Sequence, residues 1–116
     1  IMPKYFDLDE FACKHTMQNL IDPNFVEALD ELREICGFPF IITSGYRSPA
    51  HPVEAKKRKG GVHTRGIAAD IAVRDGRERG IIVRNAIDLG FMGIGVASSF
   101  IHVDTREGPL VMWSYD

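Results

Sequence analysis

His63, Asp70 and His102 are the side chains whose types and surroundings best suit chemistry. His63 belongs to the polar stretch His63-Thr64-Arg65-Gly66. Asp70, seven positions on, interrupts the apolar run Ile67-Ala68-Ala69-Asp70-Ile71-Ala72-Val73, and His102 sits within Phe100-Ile101-His102-Val103-Asp104. Such runs read as buried strands. A carboxylate in the middle of one is costly unless it is paired or bound to a cation. Strand side chains alternate, so His102 and Asp104 fall on one face. Two imidazoles and a carboxylate from distant segments would form a three-ligand metal site with one position open, as zinc adopts when it holds catalytic water. A buried Asp–His hydrogen bond without metal explains the same polar intrusions, and spacing alone leaves both readings open.

Other candidates lie upstream. Ser44-Gly45-Tyr46-Arg47-Ser48-Pro49 forms a tight turn after an apolar segment. From there Arg47 can project into a cleft, where its planar fork suits a carboxylate; pairing with a surface acid is the plainer alternative. His51 reads as a surface residue and only secondarily as an extra ligand. The basic run Lys56-Lys57-Arg58-Lys59 reads as a solvated loop or helix end, with contact to an anionic polymer as the minor reading.

The elements that must position these residues follow in order. Asp7 with Glu10 three residues later caps a short helical turn within Tyr5–Lys14. Asp22-Pro23 starts a helix that runs to Cys36 and stops at Gly37. Phe25, Leu29, Leu32 and Cys36 recur on its core face, with Val26 and Ile35 widening that face. A strand over Phe38–Thr43 delivers the Arg47 turn. A short helix over His51–Lys56 and a flexible Gly60-Gly61 approach then lead to His63 and the Asp70 strand. Asp75, with Glu78 three residues on, caps a helix over Arg77–Leu89 that buries Ile81, Ile82, Ala86 and Leu89 and ends at Gly90. Three strands remain: Phe91–Val96, the His102 strand and Leu110–Trp113. The order α-β-β-α-β-β-β predicts an α+β domain, with helices against a small, mainly antiparallel sheet.

The chain's 116 residues suffice for one modest core. With a net charge of −2, general attraction to nucleic acid or anionic membrane is not expected. No apolar run approaches the ~18–20 residues of a membrane span, and Ile1-Met2-Pro3-Lys4 lacks the apolar core of a secretory signal. Cys13 and Cys36 give no disulfide framework and read as small buried hydrophobes.

Ser44-Gly45-Tyr46-Arg47-Ser48, the His63–Asp70 pair and Phe100-Ile101-His102-Val103-Asp104 together resemble the zinc D-Ala-D-Ala carboxypeptidase family, which includes endolysin-type peptidases. The chain is similar to the compact members common in bacteriophage and bacterial genomes. The likeness runs from Tyr5-Phe6-Asp7-Leu8-Asp9-Glu10-Phe11 to Trp113. It implies one peptidase domain over 1–116 with the hedgehog/D-Ala-D-Ala-carboxypeptidase-like zinc peptidase fold. It also implies Zn2+ held by His63, Asp70 and His102, and Arg47 as a substrate-side cation with Tyr46 and Ser44 beside it. The implied activity is hydrolysis of D-amino-acid-containing bonds in peptidoglycan stem peptides, by a monomer acting on the bacterial cell wall.

Hydrolysis also needs a proton acceptor near the attacking water. Many family members carry an acidic residue three positions before the last histidine ligand; here that position is Ser99. Asp104 is the best remaining candidate for the catalytic base, and orienting His102 is its competing role. Tyr46 and His51 are lesser candidates. Ser99 keeps a second class open, a zinc-binding but non-hydrolytic domain, structural or wall-binding, as in hedgehog signalling domains.

Overall fold

Asp22 and Gly37 bound the first long helix, as their chemistry requires. In the computed structural model, which describes residues 3–57 and 61–115, α1 spans Pro23–Cys36. The Asp22 carboxylate accepts from the Asn24 N–H at 2.8 Å, and Gly37 closes the helix in the left-handed conformation at φ 79°. Upstream, a 3-10 turn over Leu8–Phe11 carries the expected capping box between Asp7 and Glu10. Ile1, Met2, Arg58, Lys59 and Gly60 lie outside the described residues, so half of the basic run and part of the Gly60-Gly61 approach go without structural account.

The strands are β1 (Ile42–Ser44), β2 (Ala68–Ala72), β3 (Gly93–Val96), β4 (Phe100–Asp104) and β5 (Val111–Ser114). They form one sheet in the order β1-β2-β4-β3-β5. Every pair is antiparallel except β3–β5, which is parallel. Between strands run α2 (Pro52–Ala55), a 3-10 turn over Val62–Arg65, and α3 (Gly76–Asp88). The architecture is α+β with a mostly antiparallel sheet, as the element order predicts.

One continuous core fills the space between sheet and helices. Phe25, Val26, Leu29 and Leu32 of α1 meet Ile82 and Ala86 of α3 and the inner residues Ile71, Ile94, Ile101 and Val103. Phe25 and Phe91 pack edge to face with ring centres 6.2 Å apart.

Several expectations need correction. Ile35 is 51% exposed rather than core, because it sits one residue, about 100° of rotation, off Cys36. Cys36 is itself only half-buried, and both cysteines are free thiols. The strand expected over Phe38–Thr43 is pared to Ile42–Ser44. Pro39 has no N–H for a ladder, and Phe38 and Phe40 instead pack ring edge to ring at 5.7 Å. At α3 the Asp75 carboxylate caps the Glu78 N–H at 2.9 Å, but Glu78 reaches back to Arg74 rather than to Asp75. Among the described residues no helix is long and apolar enough to cross a membrane.

Candidate metal centre

Sheet register places the candidate residues in one row. Ser44 lies opposite Asp70, Asp70 opposite His102, His102 opposite Gly95, and Gly95 opposite Trp113. Residues directly opposite one another share a face of the sheet. The third candidate ligand comes from outside the sheet: the 3-10 turn over Val62–Arg65 sets His63 beside Asp70 and His102. His63, Asp70 and His102 are all buried, and one ligating atom from each lies within 4.8 Å of the others.

The outer hydrogen bonds decide which nitrogens face inward. His63 Nδ1 is 2.7 Å from the Gly45 carbonyl oxygen. A carbonyl only accepts, so Nδ1 carries the proton and Nε2 presents its lone pair, 3.4 Å from Asp70 Oδ1. His102 Nε2 donates to Asp104 Oδ2 at 2.7 Å, which leaves Nδ1 facing the same Asp70 oxygen at 3.0 Å. Two nitrogen lone pairs thus converge on an anionic oxygen, an arrangement that repels unless a proton or a cation sits among them. Ligands about 2.0–2.1 Å from a tetrahedral zinc stand roughly 3.3 Å apart. The observed 3.0 and 3.4 Å separations and the N, N, O donor set fit that ion.

Charge tuning agrees with this picture. Burial works to raise the Asp70 carboxyl, but hydrogen bonds and charge from His102 and His63 outweigh it and hold the group well below the usual carboxylate range. Asp104 is held low in the same way against its burial, by His102 and the Arg106 guanidinium. Burial pushes His102 down, yet hydrogen bonds to Asp104 and Asp70 leave it raised above an ordinary histidine.

The centre lies in a cleft of about 580 Å³ that is also lined by the basic residues Arg47, Lys57, Arg65 and Arg106 and by Phe100, Trp113 and Tyr115. Arg47 reaches it as the turn predicts. Its Nε donates to Ser44 Oγ at 3.1 Å, its NH1 to Glu54 Oε2 at 3.1 Å, and its NH2 lies 3.6 Å from Asp70 Oδ2.

Ser44 and Tyr46 do not line the cleft. Tyr46 is 3% exposed and packs in the core, while Ser44 serves by holding the Arg47 side chain. His51 caps α2, its Nδ1 accepting from the Val53 N–H. Asp104 is fully buried, with both oxygens occupied: Oδ2 by His102 and Arg106 NH2, Oδ1 by Arg106 Nε and the Arg106 N–H. Ser99 lies exposed in the β3–β4 turn, next to Phe100 of the cleft but not itself lining it. Among the described residues Asp70 is the one carboxylate lining the cleft.

The family model for peptidase M15 matches residues 4–104. This chain belongs to the peptidase M15 family. M15 peptidases are zinc-dependent and of the D-Ala-D-Ala carboxypeptidase type, so the resemblance in the sequence is upheld. No curated protein sequence matches the chain. The M15 match stops at Asp104, whereas Arg106, Trp113 and Tyr115 of the cleft wall lie beyond it.

Four contributors escaped sequence reasoning. Glu54 is a wholly buried carboxylate that takes Arg47, Lys57 and the Gly61 N–H; on so short a helix no periodicity marks it. Arg106 grips Asp104 and lies over the Trp113 ring at 5.0 Å. Trp113 in turn stands 5.1 Å from the His102 ring. Tyr115 continues that wall, 5.0 Å from Phe100. The spacing of Trp113, in β5, and Tyr115, just past its end, was the available signal. Gly95 is what lets them in, since a Cβ there would lie 2.7 Å from Trp113 Nε1.

Proposed function

We propose that this chain is a zinc peptidase that hydrolyses D-amino-acid-containing peptide bonds of peptidoglycan, with residues 1–116 working as one domain of the hedgehog/D-Ala-D-Ala-carboxypeptidase-like fold. In this reading it acts as a monomer on stem peptides at the bacterial cell wall. One observation carries it: the outer nitrogens of His63 and His102 are engaged so that their lone pairs converge on Asp70 in a cation-lined cleft. His63 Nε2, Asp70 and His102 Nδ1 would hold the ion. Bound there, zinc supplies Lewis acidity and an acidified water for attack on an amide carbonyl.

The chain's own residues do the rest. Arg47, anchored by Ser44 and Glu54, offers the remaining donors of its fork to a terminal carboxylate or a developing oxyanion. Phe100, Trp113 and Tyr115 give the cleft an aromatic lining against which apolar parts of a substrate can pack. Asp104 acts as a positioning residue for His102 rather than as the base. Its full burial and the Arg106 fork support that assignment, because a base must reach the water it deprotonates.

A second reading, a zinc-binding but non-hydrolytic domain, draws support from the exposed Ser99 and from the lack of a free carboxylate in the cleft among the described residues. Metal analysis coupled to mass spectrometry of muropeptides incubated with the protein separates the two. We expect about one zinc per chain and shortened stem peptides. Fully loaded protein that leaves every muropeptide intact, yet gains activity as Ser99→Glu, would establish the second reading.

A further inference from the structure

The cleft holds more positive charge than a single terminal carboxylate requires. Four cations line it, Arg47, Lys57, Arg65 and Arg106. Glu54 neutralises part of the first two, at 3.1 and 3.2 Å, and Asp104 takes the last, at 2.7 Å. Arg65 is different. It is exposed on the cleft and makes no ion pair with a described residue. A bound dication would make the surroundings more positive still. Low-dielectric walls concentrate such a field on whatever enters.

Arg65 is also held in a fixed relation to the metal centre. It ends the same 3-10 turn that carries His63. That turn is tied at its start, where the Thr64 N–H and hydroxyl both donate to the Gly61 carbonyl, at 3.0 and 2.6 Å. It is tied in the middle by the Arg47 N–H donating to the His63 carbonyl at 3.1 Å, and just past its end by the Asp22 N–H donating to the Gly66 carbonyl at 2.8 Å. The backbone that carries Arg65 is thus fixed relative to His63, so the reach of one arginine side chain bounds how far from the centre an anion can be held.

We infer that Arg65, assisted by Lys57, is a second anion subsite of the cleft, which selects peptides carrying an acidic residue at a set distance from the bond over Asp70. The inference rests on the peptidase reading of the cleft. It gives Lys57 a role in recognition, and it makes the substrate a peptide with two carboxylates, one for Arg47 and one for Arg65.

Trp113 is the single tryptophan of the chain and lines the cleft, so its fluorescence reports occupancy without any need for turnover. The zinc-loaded protein is titrated with synthetic peptides ending in D-Ala-D-Ala. Each carries one Glu at a different upstream position and is compared with its Gln counterpart. At one position the Glu peptide should bind about two- to fivefold more tightly, the range expected of an exposed charge pair, and the preference should shrink as salt rises. In Arg65→Ala the Glu-to-Gln ratio should fall to about one, and in Arg65→Glu it should invert, with zinc content unchanged in both. A wild-type protein indifferent to Glu at every position overturns the inference, as does a preference that survives in both variants. If no peptide of either kind perturbs Trp113, the peptide-cleft reading itself falls, and this subsite with it.

Discussion

Replacing Asp104 by Asn probes the centre most directly, because the change keeps shape and alters only charge and donor pattern. The wild-type carboxylate accepts four hydrogen bonds, from His102 Nε2 at 2.7 Å and from Arg106 NH2, Nε and N–H at 2.7, 2.9 and 3.1 Å. An amide has one oxygen. With its NH2 toward His102, the Nε2 proton loses its acceptor, and the favoured tautomer puts a proton on Nδ1, the nitrogen facing Asp70. With the oxygen toward His102, Arg106 loses two partners. Each lost bond to a charged group is worth about 1.5–3 kcal/mol, so the folded state should weaken by about 3 kcal/mol. The side chain lies in the space that glycine leaves at position 93, where a Cβ would stand 2.1 Å from Asp104 Oδ2.

Zinc affinity should drop about ten- to a hundredfold, the scale for losing the partner of a ligand histidine, or about 1.4–2.7 kcal/mol. A chelating indicator dye in competition with the protein measures that affinity, and turnover is then followed as zinc is raised to saturation. Activity should recover to within about tenfold of wild type. Unchanged zinc affinity with turnover down a hundredfold or more, the scale of lost base catalysis, would refute the positioning role and restore Asp104 as the base.

Gly93→Ala should drive a methyl into the Asp104 carboxylate and lower zinc affinity without touching a ligand, a loss that dye competition would register. Arg47→Lys should cut turnover while leaving zinc content intact, because a point charge cannot replace the fork; Glu54→Gln should raise KM for the same substrate and cost about 1.5–3 kcal/mol of stability in denaturant titration, since it neutralises a buried carboxylate that accepts from the partly exposed Arg47 and Lys57. The raised His102 pKa carries a pH signature. Without metal, its stabilisation is complete below the ordinary value of about 6.5 and is lost as pH climbs through the folded value. Zinc binding must displace that proton. The gap in Tm between zinc-loaded and chelated protein should therefore widen from pH 6 to 9, and a flat gap would count against His102 as a ligand.

The sequence by itself determined both ends of α1, the α+β class and the need for a partner at Asp70 and His102 within apolar strands. Each rests on local rules that nothing distant overrides: Asp22-Pro23 and Gly37 terminate α1 through their own backbone chemistry, and Asp70 or His102 in an apolar strand demands a partner wherever the strand goes. Local rules did not say who that partner would be. Only the register of β2 against β4, with Asp70 facing His102, brought the carboxylate to the imidazole. Only the turn of His63 onto the Gly45 carbonyl chose the nitrogen it presents. Asp104 shows the same division. Alternation correctly put it on the face of His102, but the fork of Arg106, two residues on, and the gap at Gly93, which the β3–β4 pairing sets opposite it, buried it out of reach of the cleft. Tyr46 and Arg47 are adjacent in sequence, yet one entered the core and the other the cleft, because packing against the 3-10 turn at Phe11 fixes that backbone through the Tyr46 N–H donating to the Phe11 carbonyl at 2.8 Å. Burial and pairing are sums over neighbours drawn from the whole chain, so the tertiary structure had to decide them.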